Sequence, residues 1–162
     1  EKHTNLYIIK SISKSYGVPG VRLGVLASAD KKEMGLIRST LPIWNINSFG
    51  EFFMQIFNKY KKNYIESMEK FRNTRRRFLS DLQEIDYLKA LPTQANYVMC
   101  EVVGIDSERL CIRLFDEGIL IKDVSGKISN GRSYIRIAFR TEKENNILIG
   151  YLKKVYNDLQ NF

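Results

Sequence analysis

From Asn45 to about Ile85 the chain contains no proline and a single glycine, Gly50. Apolar side chains at Phe52, Phe53, Ile56, Tyr60, Tyr64, Met68, Phe71, Phe78, Leu79 and Leu82 recur mostly at spacings of three and four, the one-sided pattern of an amphipathic helix. At 1.5 Å per residue a single such helix would run roughly 50 Å. A compact domain of 162 residues is not that wide, so the stretch either bridges two lobes or splits in the middle. Its start is marked by Asn45-Ile46-Asn47-Ser48, with Glu51 three residues after Ser48, which predicts a Ser48–Glu51 capping box.

The segments on either side read differently. Residues 6–10 are β-branched and aromatic and predict a short buried strand, residues 21–27 predict a second strand, and a loop of small residues and turn formers lies between them. Residues 31–40 predict a helix ended by Leu41-Pro42. Beyond Pro92 the pattern predicts a strand over Ala95–Val102 and a helix over Asp106–Asp116, capped by Asp106 or Ser107 and stopped by Gly118. It then predicts a strand over Ile119–Ile121, a turn at Ser129-Asn130-Gly131 and a strand over Tyr134–Phe139. Thr141 and Glu144 form a capping box for a last helix reaching about Leu159. The fold class is α/β with an α+β C-terminal part: a long linking helix, then a three-stranded sheet with helices, preceded by two strands of another domain. The expected divisions are 1–41, 42–85 and 86–162.

Composition narrows the classes. With 44% hydrophobic and 27% charged residues, collagen-like and wholly disordered chains are excluded. No apolar run approaches the ~20 residues of a membrane span. Glu1-Lys2-His3 starts without Met or an apolar leader segment, so the first residue is read as a cut or processed end and the location as cytoplasmic. Cys100 and Cys111, with the lone His3, are too few for a disulfide framework or a metal site and predict buried free thiols. The net charge of +8 allows an anionic ligand, an acidic partner or nucleic acid. Its densest part, Lys59, Lys61, Lys62, Lys70, Arg72, Arg75, Arg76 and Arg77, is interleaved with or followed by Glu66, Glu69, Asp81 and Glu84. That mixture predicts a solvated helix face, with a basic, non-catalytic binding module as the alternative and no nucleic acid or membrane as partner.

The residues that carry chemistry lie in the first loop. Ser11, Ser13 and Lys14 precede the second strand, and Arg22 falls in it. An arginine among apolar strand residues needs an anion, and its planar donor fork, with serine hydroxyls and loop N–H groups, suits phosphate oxygens. A lysine in the same place is a potential Schiff-base amine. Phosphate donors beside an amine match pyridoxal phosphate, although each residue taken alone is equally an ordinary loop serine or solvated charge.

The segment NLYIIKSISKSYGVPGVRLGVL, with Lys14, Arg22 eight residues later and Gly24, resembles the cofactor-lysine segment of fold-type I pyridoxal-phosphate enzymes, class I/II aminotransferases. It is most similar to the histidinol-phosphate aminotransferase and threonine-phosphate decarboxylase branch. LPIWNINSFGEF, LPTQANYVMCE, GILIKDVSG and YIRIAFRTEKENNILI follow in the family's order, so the resemblance covers nearly the whole chain.

The resemblance implies an aminotransferase, or alternatively a decarboxylase, acting on an amino acid, with a keto-acid co-substrate in the first case. Phosphorylated amino acids are among the implied substrates, and the family forms homodimers. It implies that Lys14 carries pyridoxal phosphate and moves the Cα proton, and that Ser11 and Arg22, with Ser13, hold the cofactor phosphate. Arg136 would bind the substrate carboxylate. Arg140, two strand alternations further on, would meet a substrate phosphate or remain a surface charge. Asn96 would approach the substrate or cap its strand, and Trp44 and Asn45 would line the entrance or position the helix start. The family's pyridine-nitrogen aspartate and glycine-rich phosphate loop lie upstream of the lysine and are not in this chain. The 162 residues alone are therefore expected to be inactive.

Overall fold

Asn47, not Ser48, caps the long helix. In the computed structural model, which describes residues 3–160 with side chains to Tyr156, the Asn47 Oδ1 atom accepts the Gly50 N–H at 2.9 Å and its carbonyl accepts the Glu51 N–H at 3.0 Å. The Asn47 amide also donates to the Val21 carbonyl at 3.0 Å, so one side chain starts the helix and ties it to the preceding loop. The expected Ser48 cap gives way because Ser48 is already helical. Glu1 and Lys2, part of the start read above as a cut end, lie outside the described residues.

The chain divides into two units, Glu1–Ser67 and Met68–Phe162. In the first, β1 (Tyr7–Ser11) and β2 (Gly24–Ser28) pair antiparallel, with Ser11 opposite Gly24. Between them lie the one-turn helix α1 (Ile12–Ser15) and a 3-10 turn over Pro19–Val21. Helix α2 (Lys31–Thr40) follows, capped by Asp30, which accepts the Glu33 N–H at 3.0 Å. Two expectations are corrected here. The second strand starts at Gly24 rather than Val21, because Val21 belongs to the 3-10 turn. The first strand is not buried: four of the five β1 residues are exposed, Ile9 at 82%. A two-stranded ladder covers neither of its own faces.

Helix α3 (Ser48–Gln83) is one unbroken helix of 36 residues. Its residues to Ser67 belong to the first unit and the rest to the second. Gly50 permits a close approach at its start, where an added Cβ would meet Leu23 Cδ2 at 3.0 Å.

The second unit is built on an antiparallel sheet of four strands in the order β3–β4–β6–β5. These are β3 (Leu88–Ala90), β4 (Tyr97–Val102), β5 (Lys122–Asp123) and β6 (Ser133–Ala138). Three strands were expected, and β3 is the addition. The strand expected at Ile119–Ile121 shifts to Lys122–Asp123, because Ile119 serves another purpose. Helix α4 (Ser107–Asp116) is capped by Asp106, which accepts the Arg109 N–H at 2.8 Å. It ends in the paired bonds Gly118 N–H to Phe115 C=O at 2.9 Å and Ile119 N–H to Leu114 C=O at 2.8 Å. Gly118 has φ +77°, as this helix stop requires. The strand expected from Ala95 begins at Tyr97.

One sheet face supplies Val98, Cys100, Val102, Ile135 and Ile137. Phe78 and Leu82 of α3, Leu110 and Leu114 of α4, and Leu148, Leu152 and Val155 of α5 (Glu142–Gln160) complete the core. The other face is more open, which is where Arg136 lies. Burial pushes the Cys100 thiol up to about 12. Cys111 is only half-buried, not buried as expected; desolvation first, then Asp123, Asp106 and Glu108, pushes its thiol up to about 11. Both are protonated at neutral pH. No helix among the described residues is long and apolar enough to cross a membrane.

The expected box at α5 forms. The Thr141 N–H and hydroxyl donate to Glu144 Oε2 at 3.1 and 2.6 Å, and the Glu144 N–H donates back to Thr141 Oγ1 at 3.3 Å. These bonds from Thr141, followed by the Arg140 guanidinium, lower the Glu144 carboxyl to about 2 from 4.5. A lowered folded pKa gives stability that is present above the unfolded value and lost as pH falls through the folded one. Glu144→Gln is thus expected to be less stable than the native protein at neutral pH. The gap should close between pH about 4.5 and about 2, measured as urea midpoints across that range.

Candidate functional site

The first unit presents Lys14 on a turn braced from below. Ile12 and Ser13 donate their N–H groups to the Leu23 carbonyl at 3.1 and 3.3 Å. The Ser13 hydroxyl accepts the Leu23 N–H at 2.8 Å and donates to the Leu23 carbonyl at 3.2 Å. Ser13 is 3% exposed, so its hydroxyl is committed to the backbone. Ser11, by contrast, makes no side-chain cap bond and remains half-buried at the mouth of the turn. Leu23 locks onto Ser13, so Lys14, which follows Ser13, and Arg22, which precedes Leu23, adjoin the same pair of bonds. Arg22 is not in a strand as expected. It ends the 3-10 turn in the left-handed region at φ 54°, a conformation that costs a non-glycine residue about 1–2 kcal/mol. The side chains of Lys14 and Arg22 are both exposed, and neither has a hydrogen bond or ion pair among the described residues. An exposed amine and an exposed guanidinium, each one residue from the Ser13–Leu23 bonds, with a Ser11 hydroxyl that has no partner among the described residues, fit an anionic aldehyde cofactor such as pyridoxal phosphate.

The second unit holds the other residues. Arg136 lies on the open sheet face, 5.3 Å from the Tyr97 ring centre. Its cross-strand neighbours are Met99 on one side and Lys122 on the other. Lys122, Arg136 and Ala138 line a shallow depression with Leu120, Ile121 and Asp123. Like charges directly opposite in a ladder repel, and neither Lys122 nor Arg136 has a carboxylate partner among the described residues. Sequence reasoning missed Lys122, because only the strand register shows it facing Arg136.

Arg140 lies beyond the end of β6, but the alternation of burial continues through it, so it stays on the exposed side with Arg136. Its guanidinium already donates to Glu144 Oε1 at 3.1 and 2.7 Å. Its backbone is clamped by the buried Asn145, which accepts its N–H at 3.0 Å and donates to its carbonyl at 3.2 Å. Asn96 is exposed just before β4, and its carbonyl accepts the Phe139 N–H at 3.0 Å. Trp44 is 90% exposed.

This architecture is that of the fold-type I aminotransferases. The histidinol-phosphate aminotransferase of Clostridium acetobutylicum superposes with a TM-score of 0.88 at 30% identity, over 97% of this chain and 47% of that one. The chain belongs to the family Aminotransferase class I and II, whose model matches residues 1–152. Among similar proteins, the CMP-5'-(3-aminopropyl)phosphonate synthase of Streptomyces rubellomurinus is 33% identical over 96% of this chain and 25% of its own length. The L-serine phosphate decarboxylase of Sulfurospirillum multivorans is 32% identical over 98% of this chain and 41% of its own. The chain thus spans less than half the length of these relatives.

Proposed function

We propose that the chain supplies part of the active site of a longer pyridoxal-phosphate enzyme that acts at the Cα of an amino acid carrying a phosphate or phosphonate group. The observation that carries this is the pairing of Lys122 and Arg136, two cations side by side on the open sheet face, neither with a carboxylate partner among the described residues. Such a pair is stabilised by a bound dianion or by two anionic groups of one ligand. The relatives above, named for a serine phosphate, an aminopropylphosphonate and histidinol phosphate, support the same reading.

Pyridoxal phosphate, when bound, supplies an electron sink for charge developing at Cα. Lys14 Nζ attaches it and carries the Cα proton, Arg22 and Ser11 hold its phosphate, and Ser13 keeps the turn in place. Arg136 takes the substrate carboxylate as a two-bond pair, and Lys122 meets the phosphoryl group. Arg140 is already engaged by Glu144 through Nε and Nη2, so we assign it a supporting part. Asn96 holds the end of β6. The working form is read as a homodimer.

Transamination with a keto acid is the first reaction to test. Decarboxylation is the second, favoured by the serine phosphate decarboxylase relative. The full-length protein with pyridoxal phosphate should turn over O-phospho-L-serine or O-phospho-L-threonine and discriminate against the free hydroxy amino acids. Product that depends on added 2-oxoglutarate marks transamination, and released carbon dioxide marks decarboxylation. Equal rates with and without the phosphoryl group would remove the phosphoryl assignment. Arg136→Ala is expected to raise KM about tenfold to a hundredfold, read from initial rates.

A further inference from the structure

We propose that Tyr64 is a positioning residue for Lys14: its hydroxyl closes the C-terminal end of the lysine turn and so sets where the amine points. The proposal rests on Lys14 being the reactive amine. Helix α1 has four residues, and one isolated turn does not hold itself together. Leu23 fixes its first half, as described above. At the other end the carbonyls can be accounted for one by one. Those of Ile12, Ser13 and Lys14 accept the N–H groups of Tyr16, Val18 and Gly17 at 3.0, 2.9 and 3.4 Å. The carbonyl of Ser15, the residue after the lysine, accepts the Tyr64 O–H at 3.0 Å across 49 residues of sequence.

The same contact point is packed as well as bonded. The Tyr16 ring lies 4.7 Å from both Tyr64 and Phe57, centre to centre, and 6.3 Å from Phe53. Three side chains of α3 therefore receive the end of the lysine turn, and only Tyr64 among them can donate a hydrogen bond. Aromatic packing tolerates small slides of a ring. A hydrogen bond to a backbone carbonyl fixes direction, and proton transfer at a substrate carbon is sensitive to displacements of about 1 Å. The long helix is thus a rigid strut that orients the amine through one hydroxyl.

The test is Tyr64→Phe in the full-length protein, which keeps the ring and removes the donor. Without cofactor, the amides of Tyr16, Gly17 and Val18 should exchange with solvent about tenfold faster, while that of Ile119 in the second unit is unchanged. With cofactor, kcat should fall about tenfold and KM should stay within about twofold. Tyr60→Phe, half-exposed on the same helix, should change neither. Unchanged exchange overturns the proposal, and so does faster exchange with native kcat, which would make the contact structural only. Lys14→Ala run in parallel separates the two readings. A visible cofactor band that disappears in Lys14→Ala, beside a silent Tyr64→Phe, sinks the positioning role alone. A band that survives Lys14→Ala sinks the assignment of the amine and the positioning role with it.

Discussion

Lys14→Ala in the full-length protein is expected to abolish the visible absorption of bound pyridoxal phosphate and to lower turnover about 10^4-fold. Two losses combine: the amine that attaches the cofactor, and the base that moves the Cα proton, a role worth about 10^2–10^4-fold by itself. Lys14→Arg keeps the positive charge but offers no nucleophilic amine at accessible pH, so the same loss is expected, which separates covalent attachment from simple attraction of phosphate. Neither variant should unfold the protein. The side chain is exposed and has no partner among the described residues, and substitutions at such positions shift stability by about 0.5 kcal/mol or less. A large fall in melting temperature, or turnover within tenfold of the native rate, contradicts the assignment. Arg22→Ala, at a side chain that also has no partner among the described residues, should instead weaken cofactor affinity while leaving a residual band at high cofactor concentration.

What the sequence made legible around the candidate site is local. The eight-residue interval from Lys14 to Arg22 survives in the structure as two residues flanking one set of Leu23–Ser13 bonds. The Thr141–Glu144 box and the Gly118 stop also depend only on near neighbours. What was not legible depends on partners far along the chain. Leu88–Ala90 is too short for a two-residue period to register, and only pairing with β4 makes it a strand. Ile119–Ile121 has the composition of a strand, but the Ile119 N–H is taken by the end of α4. Residues 6–10 have the pattern of a buried strand, and the pattern cannot say whether anything covers it. Lys122 shows the same limit at the site itself: a lysine fourteen residues before Arg136 carries no signal until the register of β5 on β6 puts the two side by side.

Phe78→Ala is expected to destabilise the second unit by about 3–5 kcal/mol. Phe78 is 1% exposed, its ring meets Phe139 edge-on at 5.9 Å and 87°, and it belongs to the same core as Val98, Ile137 and Leu152. Truncation removes the buried ring and leaves a cavity in a core that relaxes only in part. It also removes the edge-to-face pair, worth about 0.5–1.5 kcal/mol beyond area. The loss is large against the ~5–15 kcal/mol that holds a whole domain. The second half of α3 is otherwise anchored by Leu82, with Phe71 and Leu79 partly buried against the same core. Its polar side is given over to Arg75, Arg76 and Arg77, whose contacts to Gln94, Asn73 and Glu142 are exposed and contribute about 1 kcal/mol or less each. Urea denaturation should show a lower midpoint with an unchanged slope. A double-mutant cycle with Phe139→Leu should recover a coupling of about 0.5–1.5 kcal/mol. A coupling near zero would mean that each ring is held independently by the aliphatic core, and that α3 docks through Leu82 rather than through the aromatic pair. The distinction matters for the site because Phe139 sits between Ala138, at the edge of the Arg136 depression, and Arg140. Loosening the ring frees the end of β6 that presents both arginines.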